Sequence, residues 1–282
     1  MSCFEYLKSI LLKKNIFLVS SLPISECRIQ RDYKLKKCGF EDISSLNVYM
    51  IAVPYKCCDD TSSNISEYAI SRDYHLFFSS LFADVTKHLQ EKYPRYKFCG
   101  FADSSPIDEI YAAARSELGV IGKNNLLITE KYSSYIFLGE IITDCPEKIY
   151  TLSEIRECIG CGACRKVCPK NDIGVCLSDL TQKKGALTEI EAQAIKKYGS
   201  VWGCDMCQAV CPYTKKAIAS GDIYTDIEFF KSDRTPYLTD SIIERMSDEE
   251  FSSRAYSWRK RATVLRNIDI IYKKGDTDIC SK

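Results

Sequence analysis

Two runs of cysteine have residue types and spacing suited to binding iron–sulfur clusters. The first is CxxCxxCxxxCP, beginning at Cys158, and the second is CxxCxxxCP, beginning at Cys204. The first run has the spacing of bacterial proteins that hold two [4Fe–4S] clusters. Together the runs supply seven thiolates, and Cys176, between them, is the natural eighth. The predicted metal ligands are Cys158, Cys161, Cys164, Cys168, Cys176, Cys204, Cys207 and Cys211.

The division of these ligands between two clusters follows the ferredoxin pattern. In two-cluster ferredoxins the cysteine that precedes proline binds the other cluster. One cluster would then use Cys158, Cys161, Cys164 and Cys211, and the other Cys168, Cys176, Cys204 and Cys207. Spacing alone does not prove this crossing. Structural zinc is the alternative, because CxxC pairs also bind zinc, but zinc sites rarely need two runs that each end in Cys-Pro.

Composition places the clusters in a packed globular protein within a reducing compartment. The chain has 282 residues, 45% of them hydrophobic, and a net charge of +1, which gives no general support for nucleic-acid binding. Its apolar runs are too short to span a bilayer, and Glu5, Lys13 and Lys14 make the start a poor signal peptide. We therefore predict a cytoplasmic protein without a membrane partner. The other cysteines are expected to be small buried hydrophobes, namely Cys3, Cys27, Cys38, Cys57, Cys58, Cys99, Cys145 and Cys280.

The elements around these residues predict an α+β fold in three parts. Residues 1–150 read as a mixed α/β domain, 151–225 as a ferredoxin-like double-cluster domain, and 226–282 as a short helical tail. Strands are predicted at 47–55, 96–102, 125–129 and 134–143, and a long helix at 67–93. In the cluster segment, Thr188 and Glu191 predict a capping box, for a helix that ends at Gly199.

A second helix is predicted directly after the strand at 96–102. Ser105 can cap it, Pro106 suits its first position, and Asp108 favours its N-terminal dipole. The helix would run to about Leu118. Asp103 would then lie between the end of a strand and a helix cap.

Further stretches of the chain resemble the epoxyqueuosine reductase family, cobalamin and iron–sulfur enzymes that complete queuosine in tRNA. The resemblance covers residues 66–267. It rests on the cysteine runs and on SEYAISRDYH, FADSSPIDE, ELGVIGKNNLLI, FLGEIITD, CLSDLTQKKG and KRATVLRN, which begin at residues 66, 101, 117, 137, 176 and 260. Corrinoid-dependent reductive dehalogenases share the architecture and are the nearest different family.

The resemblance implies a corrinoid between the N-terminal domain and the clusters. Asp103 matches the family's proposed proton donor, and a poorly solvated pocket would keep its carboxyl protonated closer to neutral pH. The residues implied to line the cofactor are Gly122, Lys123, Asn124, Leu127, Leu138, Val201 and Trp202. Without the resemblance, Asp103 merely precedes a helix, and the two leucines and the tryptophan are ordinary core residues. Of the two histidines, His75 is expected to be structural and His88 to be solvated.

Two departures from the family bear on the substrate. The segment between Cys168 and Cys176 is shorter than is typical, and the helical-repeat extension that helps many members hold tRNA is not expected here. A basic patch is formed by Arg254, Arg259, Lys260, Arg261 and Arg266. Phosphate contacts and a solvated helix face explain these charges equally well.

The leading hypothesis is a cobalamin-dependent reductase, with two [4Fe–4S] clusters, that reduces epoxyqueuosine to queuosine in tRNA. Its electrons would come from an external donor such as a ferredoxin or a flavodoxin, and a monomer is expected, although the oligomeric state is left open. One alternative is a ferredoxin-like electron-transfer protein without corrinoid. Another is a corrinoid reductase that acts on a small molecule.

Overall fold

The structure, a computed structural model, describes residues 1–59 and 62–272 and is built around an antiparallel sheet. Four strands lie in the order β1-β2-β6-β3, and β4 pairs with β5 in a separate small sheet. The strands are β1 (Leu18–Pro23), β2 (Asn47–Pro54), β3 (Phe98–Phe101), β4 (Val120–Ile121), β5 (Leu127–Ile128) and β6 (Ile136–Thr143). All four predicted strands are therefore present, with β3 and β5 shorter than predicted.

The central strand β2 is buried along its whole length. Its side chains alternate between the two faces of the sheet, as the two-residue period of a strand requires. Tyr49, Ile51 and Val53 pack into one hydrophobic core. The residues between them, such as Met50 and Ala52, pack into a second core on the opposite face. Both faces are thus covered, which explains why this stretch reads as a continuous apolar run.

Four helices surround this sheet within the first half of the chain. They are α1 (Cys3–Leu12), α2 (Asp32–Lys37), α3 (Tyr74–Lys92) and α4 (Glu109–Arg115). The predicted start of α3 at Glu67 is wrong: Glu67–Ala69 is a 3₁₀ turn, and Asp73 caps α3. The reason lies in a distant contact, because the backbone N–H of Asp73 donates to the carbonyl of Ser253 and cannot join the helix.

The predicted cap of α4 is also wrong. Asp108, not Ser105, caps the helix by accepting from the backbone N–H of Tyr111 at 3.0 Å. Ser105 instead donates its hydroxyl to the buried Glu140, and α4 ends at Arg115. A buried carboxyl acceptor therefore takes the hydroxyl that the sequence assigned to the helix.

Short helices dominate the second half of the chain. They are α5 (Ala163–Lys166), α6 (Lys170–Ile173), α7 (Leu177–Thr181), α8 (Glu189–Tyr198), α9 (Met206–Ala209), α10 (Pro212–Ser220), α11 (Glu228–Lys231), α12 (Asp240–Arg245), α13 (Asp248–Ser252) and α14 (Lys260–Tyr272). The capping box of Thr188 and Glu191 on α8 is confirmed, as is the end of that helix at Gly199 in a left-handed conformation. The predicted helical character after residue 226 is confirmed as far as residue 272.

The hydrophobic cores cross the predicted domain boundaries, which remain predictions. The first core joins β2 to Ala217 and Phe230. A third core joins Ile65 to Trp202 and to Val264 in α14. Within residues 1–59 and 62–272, no helix is both long enough and apolar enough to cross a lipid bilayer.

The predicted burial of the eight cysteines outside the runs holds only in part. Cys3 and Cys145 are buried, as predicted, whereas Cys58 is exposed. Four more are half-buried: Cys27, Cys38, Cys57 and Cys99. Cys280 lies outside the described residues.

Candidate active site

Asp103 lies on a loop that is tied to the N-terminal part of the chain. The loop follows β3, and Asp103 itself has a φ of 61°, in the left-handed region that non-glycine residues rarely adopt. Arg31 donates from Nη1 to the carbonyl of Ser105 at 3.0 Å. Lys34 donates to both the carbonyl and the hydroxyl of Ser104. These contacts support an uncommon backbone conformation, which is typical of functional sites.

Two clefts meet at Asp103 and Tyr74. The apolar cleft has an empty volume of about 550 Å³ and is lined by Tyr74, Asp103, Glu109, Ile110, Leu126, Leu127, Ser134, Ile136, Phe137 and Leu138. The polar cleft has an empty volume of about 800 Å³ and is lined by Tyr68, Asp73, Tyr74, His75, Asp103, Gln182, Ala255 and Trp258. Asp103 is thus placed where a ligand in either cleft can reach it.

Asp103 forms an ion pair with His75, a contact that the sequence did not reveal. Nε2 of His75 lies 3.6 Å from Oδ2 of Asp103, and its Nδ1 lies 2.7 Å from Oδ1 of Asp73. Contact with Asp103, and then with Asp73, raises the pKa of His75 to about 9. The same contact lowers the pKa of Asp103.

The expectation that burial keeps Asp103 protonated is therefore wrong for this structure. The Asp103 side chain is 65% exposed, and a positive charge lies beside it. An imidazolium next to a carboxylate stabilises the ionised carboxylate more strongly than partial burial opposes it. At neutral pH the proton of this pair is held by His75.

Glu109 and Glu140 are a second pair of acidic groups that sequence reasoning missed. Glu109 begins α4 and lines the apolar cleft beside Asp103. Glu140 lies in the middle of β6, wholly buried, opposite Phe101 and Met50 on the neighbouring strands. Burial raises the pKa of Glu109 to about 7 and raises that of Glu140 well above its ordinary value. The signal was present in the sequence as a single carboxylate within the otherwise apolar β6.

The first predicted set of cluster ligands shares one cavity. Its empty volume is about 340 Å³. All four cysteines of the set line it, namely Cys158, Cys161, Cys164 and Cys211. Cys211 comes from the second run, so the crossing inferred from the ferredoxin pattern agrees with which residues face this cavity. Lys123 and Asn124 also line it.

The second set of cysteines also lies together. Burial raises the pKa of the Cys207 thiol, and Cys168 and Cys176 are close enough to raise it further. Cys204 likewise interacts with Cys207 and Cys176. No three His, Cys, Asp or Glu side chains within residues 1–59 and 62–272 surround a position for a single metal ion.

Asp205 fastens the second cysteine run to the sheet-containing half. Its carboxylate accepts from the hydroxyl of Ser66 at 2.5 Å and from the backbone N–H of Glu67 at 2.6 Å. Gln208 donates to the same carboxylate at 2.9 Å. This carboxylate thus fixes the position of the CxxC loop at Cys204 relative to residues 66 and 67.

The predicted cofactor residues divide between the two cavities and a core. Leu127 and Leu138 line the apolar cleft. Lys123 and Asn124 line the cavity that the first set of four cysteines shares. Gly122 is packed so closely that a Cβ there would lie 2.3 Å from Oδ1 of Asn124, so a larger residue would have to displace that side chain. The segment from residue 122 to 127 therefore runs from the cysteines to the apolar cleft.

Val201 and Trp202 are not part of either cleft wall. Both are fully buried in the third core, so ordinary core packing describes their side chains. Nε1 of Trp202 donates to the Tyr68 hydroxyl at 2.8 Å, and Tyr68 lines the polar cleft. Trp202 therefore touches a residue of the polar cleft without lining the cleft itself.

Comparisons with known proteins decide the family. No protein-family model matches the chain. A protein named epoxyqueuosine reductase from Synechocystis sp. is 30% identical over 223 residues, which are 74% of this chain and 75% of that protein. The chain belongs to the epoxyqueuosine reductase family. An epoxyqueuosine reductase from Listeria monocytogenes is 32% identical over 210 residues, 71% of this chain and 54% of the relative.

Other epoxyqueuosine reductases extend beyond the matched region. This chain spans about half the length of several curated relatives that it matches, such as 45% of the one from Pseudomonas aeruginosa. A crystal structure of epoxyqueuosine reductase with an epoxyqueuosine-modified tRNA-Tyr stem loop superimposes with a TM-score of 0.72. It is 20% identical and covers 94% of this chain and 80% of that one, so it confirms the α+β fold.

The basic residues of this epoxyqueuosine reductase family member are mostly committed to internal contacts. Arg254 is buried and donates to the carbonyl of Asp233. Arg261 donates to the carbonyls at the end of α12, including that of Met246 at 2.7 Å. Arg266 donates to the carbonyls of residues 183 and 185. Neither a solvated helix face nor a ready phosphate site describes these three arginines.

One exposed aromatic side chain lies at the edge of the polar cleft. Trp258 is 56% exposed and lines the cleft, and the Arg259 guanidinium stacks 3.7 Å from the centre of its ring. Lys260, which follows, is exposed and has a φ of 68°. Sequence reasoning had singled out Arg259 and Lys260 only as charges and had missed the tryptophan beside them.

Proposed function

We propose that this chain is a cobalamin-dependent reductase fed by two [4Fe–4S] clusters, and that it reduces epoxyqueuosine to queuosine in tRNA. The observation that carries the proposal is the segment 122–127, which links a cavity lined by four cysteines to an apolar cleft that ends at Asp103. In this proposal the four cysteines would hold the electron source, the adjoining cleft would hold the cofactor, and Asp103 borders that cleft. Family membership and the tRNA stem loop bound by one structural relative support the substrate.

The cysteines fit two cubane clusters in the crossed arrangement. Cys158, Cys161 and Cys164 would hold the first cluster together with Cys211, because these four share one cavity. The remaining four predicted ligands would hold the second. Burial raises the pKa of free Cys204 to about 11. Iron would have to displace the proton from that thiol, since metals bind the thiolate.

The apolar cleft would hold the corrin ring. Leu127, Leu138 and Phe137 offer it an apolar wall, and the volume adjoins the polar cleft through Tyr74. When bound, cobalamin would supply the strongly reducing centre that opening an epoxide requires. With the ring in place, these apolar side chains would shield it from water on one side, and Asp103 borders the cleft.

Asp103 and His75 would deliver a proton to the epoxide oxygen. The pair holds one proton between a carboxylate with a lowered pKa and an imidazole with a pKa of about 9. As a carbon–oxygen bond breaks, negative charge grows on the oxygen, and the proton can pass from the imidazolium through Asp103 to that oxygen. Trp258 would stack on a base of the tRNA at the mouth of the polar cleft.

We also propose the setting of the reaction. Electrons would enter singly from an external carrier such as a ferredoxin or a flavodoxin. The protein would act in the cytoplasm, as a monomer.

Cofactor binding is tested first, by anaerobic reconstitution with iron, sulfide and cobalamin. We expect iron and sulfide for two clusters and cobalamin that stays bound through gel filtration. Cys161→Ser should lower the iron content, whereas Cys58→Ser, at another exposed cysteine, should not. Loaded clusters without retained cobalamin would instead favour a ferredoxin-like electron carrier.

The substrate is tested with tRNA that carries epoxyqueuosine, under reducing conditions and with nucleoside analysis by mass spectrometry. We expect conversion to queuosine. Unchanged tRNA from protein loaded with both cofactors would leave a corrinoid reductase acting on a small molecule as the better explanation.

The role of Asp103 is tested by Asp103→Asn. We expect turnover to fall by about 100-fold or more while cobalamin remains bound, because an amide cannot pass on the proton. Wild-type turnover in this variant would remove Asp103 from the proton path.

A further inference from the structure

Glu140 has one carboxyl oxygen that accepts no ordinary hydrogen bond. Its Oε1 accepts from the Ser105 hydroxyl at 2.5 Å, whereas its Oε2 is buried without such a partner. The group that faces this carboxyl is Glu109. Two carboxylates cannot hydrogen-bond to each other unless one of them carries a proton. Burial, and then the charge of Glu109, oppose ionisation of Glu140 and raise its pKa, so its carboxyl keeps a proton that the buried Oε2 can carry.

The surroundings decide which of the two groups keeps that proton. Glu140 is wholly buried on the face of β6 that packs into the second core, while Glu109 borders the apolar cleft. The Glu109 carboxylate can also accept from the backbone N–H of Asp103, at 3.3 Å from its Oε1. Glu140 is thus the permanent acid, and Glu109 is the group that can release a proton into the cleft.

The proposed reaction needs more protons than Asp103 and His75 hold. Converting an epoxide to an alkene consumes two electrons and two protons, and the oxygen leaves as water. The first proton reaches the oxygen as one carbon–oxygen bond breaks and a hydroxyl forms. The second must reach that hydroxyl as the other carbon–oxygen bond breaks. The Asp103–His75 pair holds only the first, since its carboxylate is already ionised.

We propose that Glu109 supplies the second proton, and that Glu140 is a positioning residue which stays protonated and stabilises the Glu109 carboxylate left behind. The inference rests on the proposed function. After the transfer, the Glu109 carboxylate accepts from the Glu140 hydroxyl and from the backbone N–H of Asp103. No uncompensated charge is left in the core, which would otherwise be costly.

Several charged groups face this pair and tune it. Arg31 favours the Glu109 carboxylate, and Lys34 favours that of Glu140. Asp103 opposes the ionisation of Glu109, and Tyr74 borders the cleft with it. The Cys27 thiol also faces Glu140, and burial raises its pKa to about 12. Burial, modified by these groups, raises the pKa of Glu109 to about 7, which suits proton transfer near neutral pH.

The decisive variant is Glu109→Gln, with Glu130→Gln at an exposed carboxylate as the matched control. We expect turnover of modified tRNA to fall by about 100-fold or more in the first, with cobalamin and iron content unchanged. Wild-type turnover should fall as the pH rises through about 7, because Glu109 loses its proton. The residual turnover of Glu109→Gln should not show this fall. An unaltered pH profile in Glu109→Gln would overturn the proposal.

Glu140 is tested by comparing two replacements. Glu140→Gln keeps a side-chain donor for Glu109 and should retain most of the turnover that Glu140→Leu loses. Leucine suits the apolar face of β6, so loss of activity in Glu140→Leu should occur in a folded protein. Equal activities of the two variants would show that the donor is unimportant.

A measurement without substrate separates this inference from the proposed function. A carboxyl whose pKa is raised from 4.5 to about 7 by folding makes the folded state hold an extra proton between these values. Wild-type stability should therefore fall as the pH rises from about 4.5 to about 7, and Glu109→Gln should lack this component. If the difference in stability between wild type and Glu109→Gln does not change with pH, the raised pKa of Glu109 is refuted, even if the protein reduces the tRNA. The expected slope without any tRNA reduction would sink the proposed function alone.

Discussion

The sheet-containing half (residues 1–143) and the cysteine segment (residues 158–212) organise their functional groups in opposite ways. Around the sheet, Glu140 and Asp103 are held by strands and by hydrogen bonds to neighbouring loops. In the cysteine segment, helices α5 and α6 bury no residue. Gly160 and Gly162 adopt left-handed conformations with nothing near a Cβ position. Packing thus fixes the acidic groups around the sheet, whereas the glycines and short helices of the cysteine loops bury little, and under the proposed function these loops would depend on their clusters for order.

Removal of iron should therefore produce the largest difference between the two regions. In the cluster-free protein we expect amide hydrogens of residues 158–176 to exchange rapidly, while those of β2 stay protected. Hydrogen exchange with mass spectrometry, on samples with and without iron, measures both regions at once. Equal protection of residues 158–176 in both samples would contradict the comparison.

Ile51→Ala should destabilise the sheet half by about 2–5 kcal/mol, because it leaves a cavity in a fully buried strand. Urea unfolding followed by far-UV circular dichroism gives the change. Ile190→Ala, at a 72% exposed position on α8, is the matched control and should change the stability by less than about 0.5 kcal/mol. Similar costs at both positions would mean that burial does not distinguish the two regions.

Thr188→Ala should cost about 1 kcal/mol, since it removes the hydroxyl that accepts from the backbone N–H of Glu191 at 3.3 Å. The stability that is lost is that of helix α8 in the cysteine segment. Thermal unfolding of the iron-loaded protein measures it. Thr188→Ser keeps the acceptor and should restore most of it. A full loss in the serine variant would disprove the capping explanation.

His75→Gln should have the smallest effect on stability. The pKa of His75 is raised from 6.5 to about 9, so its contribution is complete below about 6.5 and is lost as the pH rises through about 9. The side chain is 50% exposed, and solvent screening limits the contribution to at most about 1 kcal/mol. The free energies of unfolding of wild type and variant should differ at about pH 6 and converge at about pH 10. A difference that persists at the higher pH would exclude the ion pair as its cause.

Local signals in the sequence predicted the parts of the fold that local forces decide. The apolar run of β2 and the capping box of α8 are examples, and both are confirmed. The start of α3 depended on a carbonyl at Ser253, far along the chain, which no local pattern contains. Element type was therefore predictable where a distant partner did not compete for the backbone.

The candidate site was predictable to the extent that its chemistry has a sequence pattern. Cysteine spacing predicted which four residues line one cavity. The ionisation of Asp103 was not predictable, because it depends on His75 across a cleft. The burial of Arg254 and of Glu140 likewise follows from packing between distant elements, and composition treats both as surface charges.

The third core has a consequence for how the chain folds during synthesis. Its members Ile65 and Val264 are separated by about 200 residues, so Ile65 is synthesised well before the residue that it packs with. At roughly 5–20 residues per second, that interval lasts about 10–40 s. During this time Ile65 and its neighbour Ile70 lack their later partners and are exposed to chaperones. The sheet, by contrast, has all its strands once residue 143 has emerged.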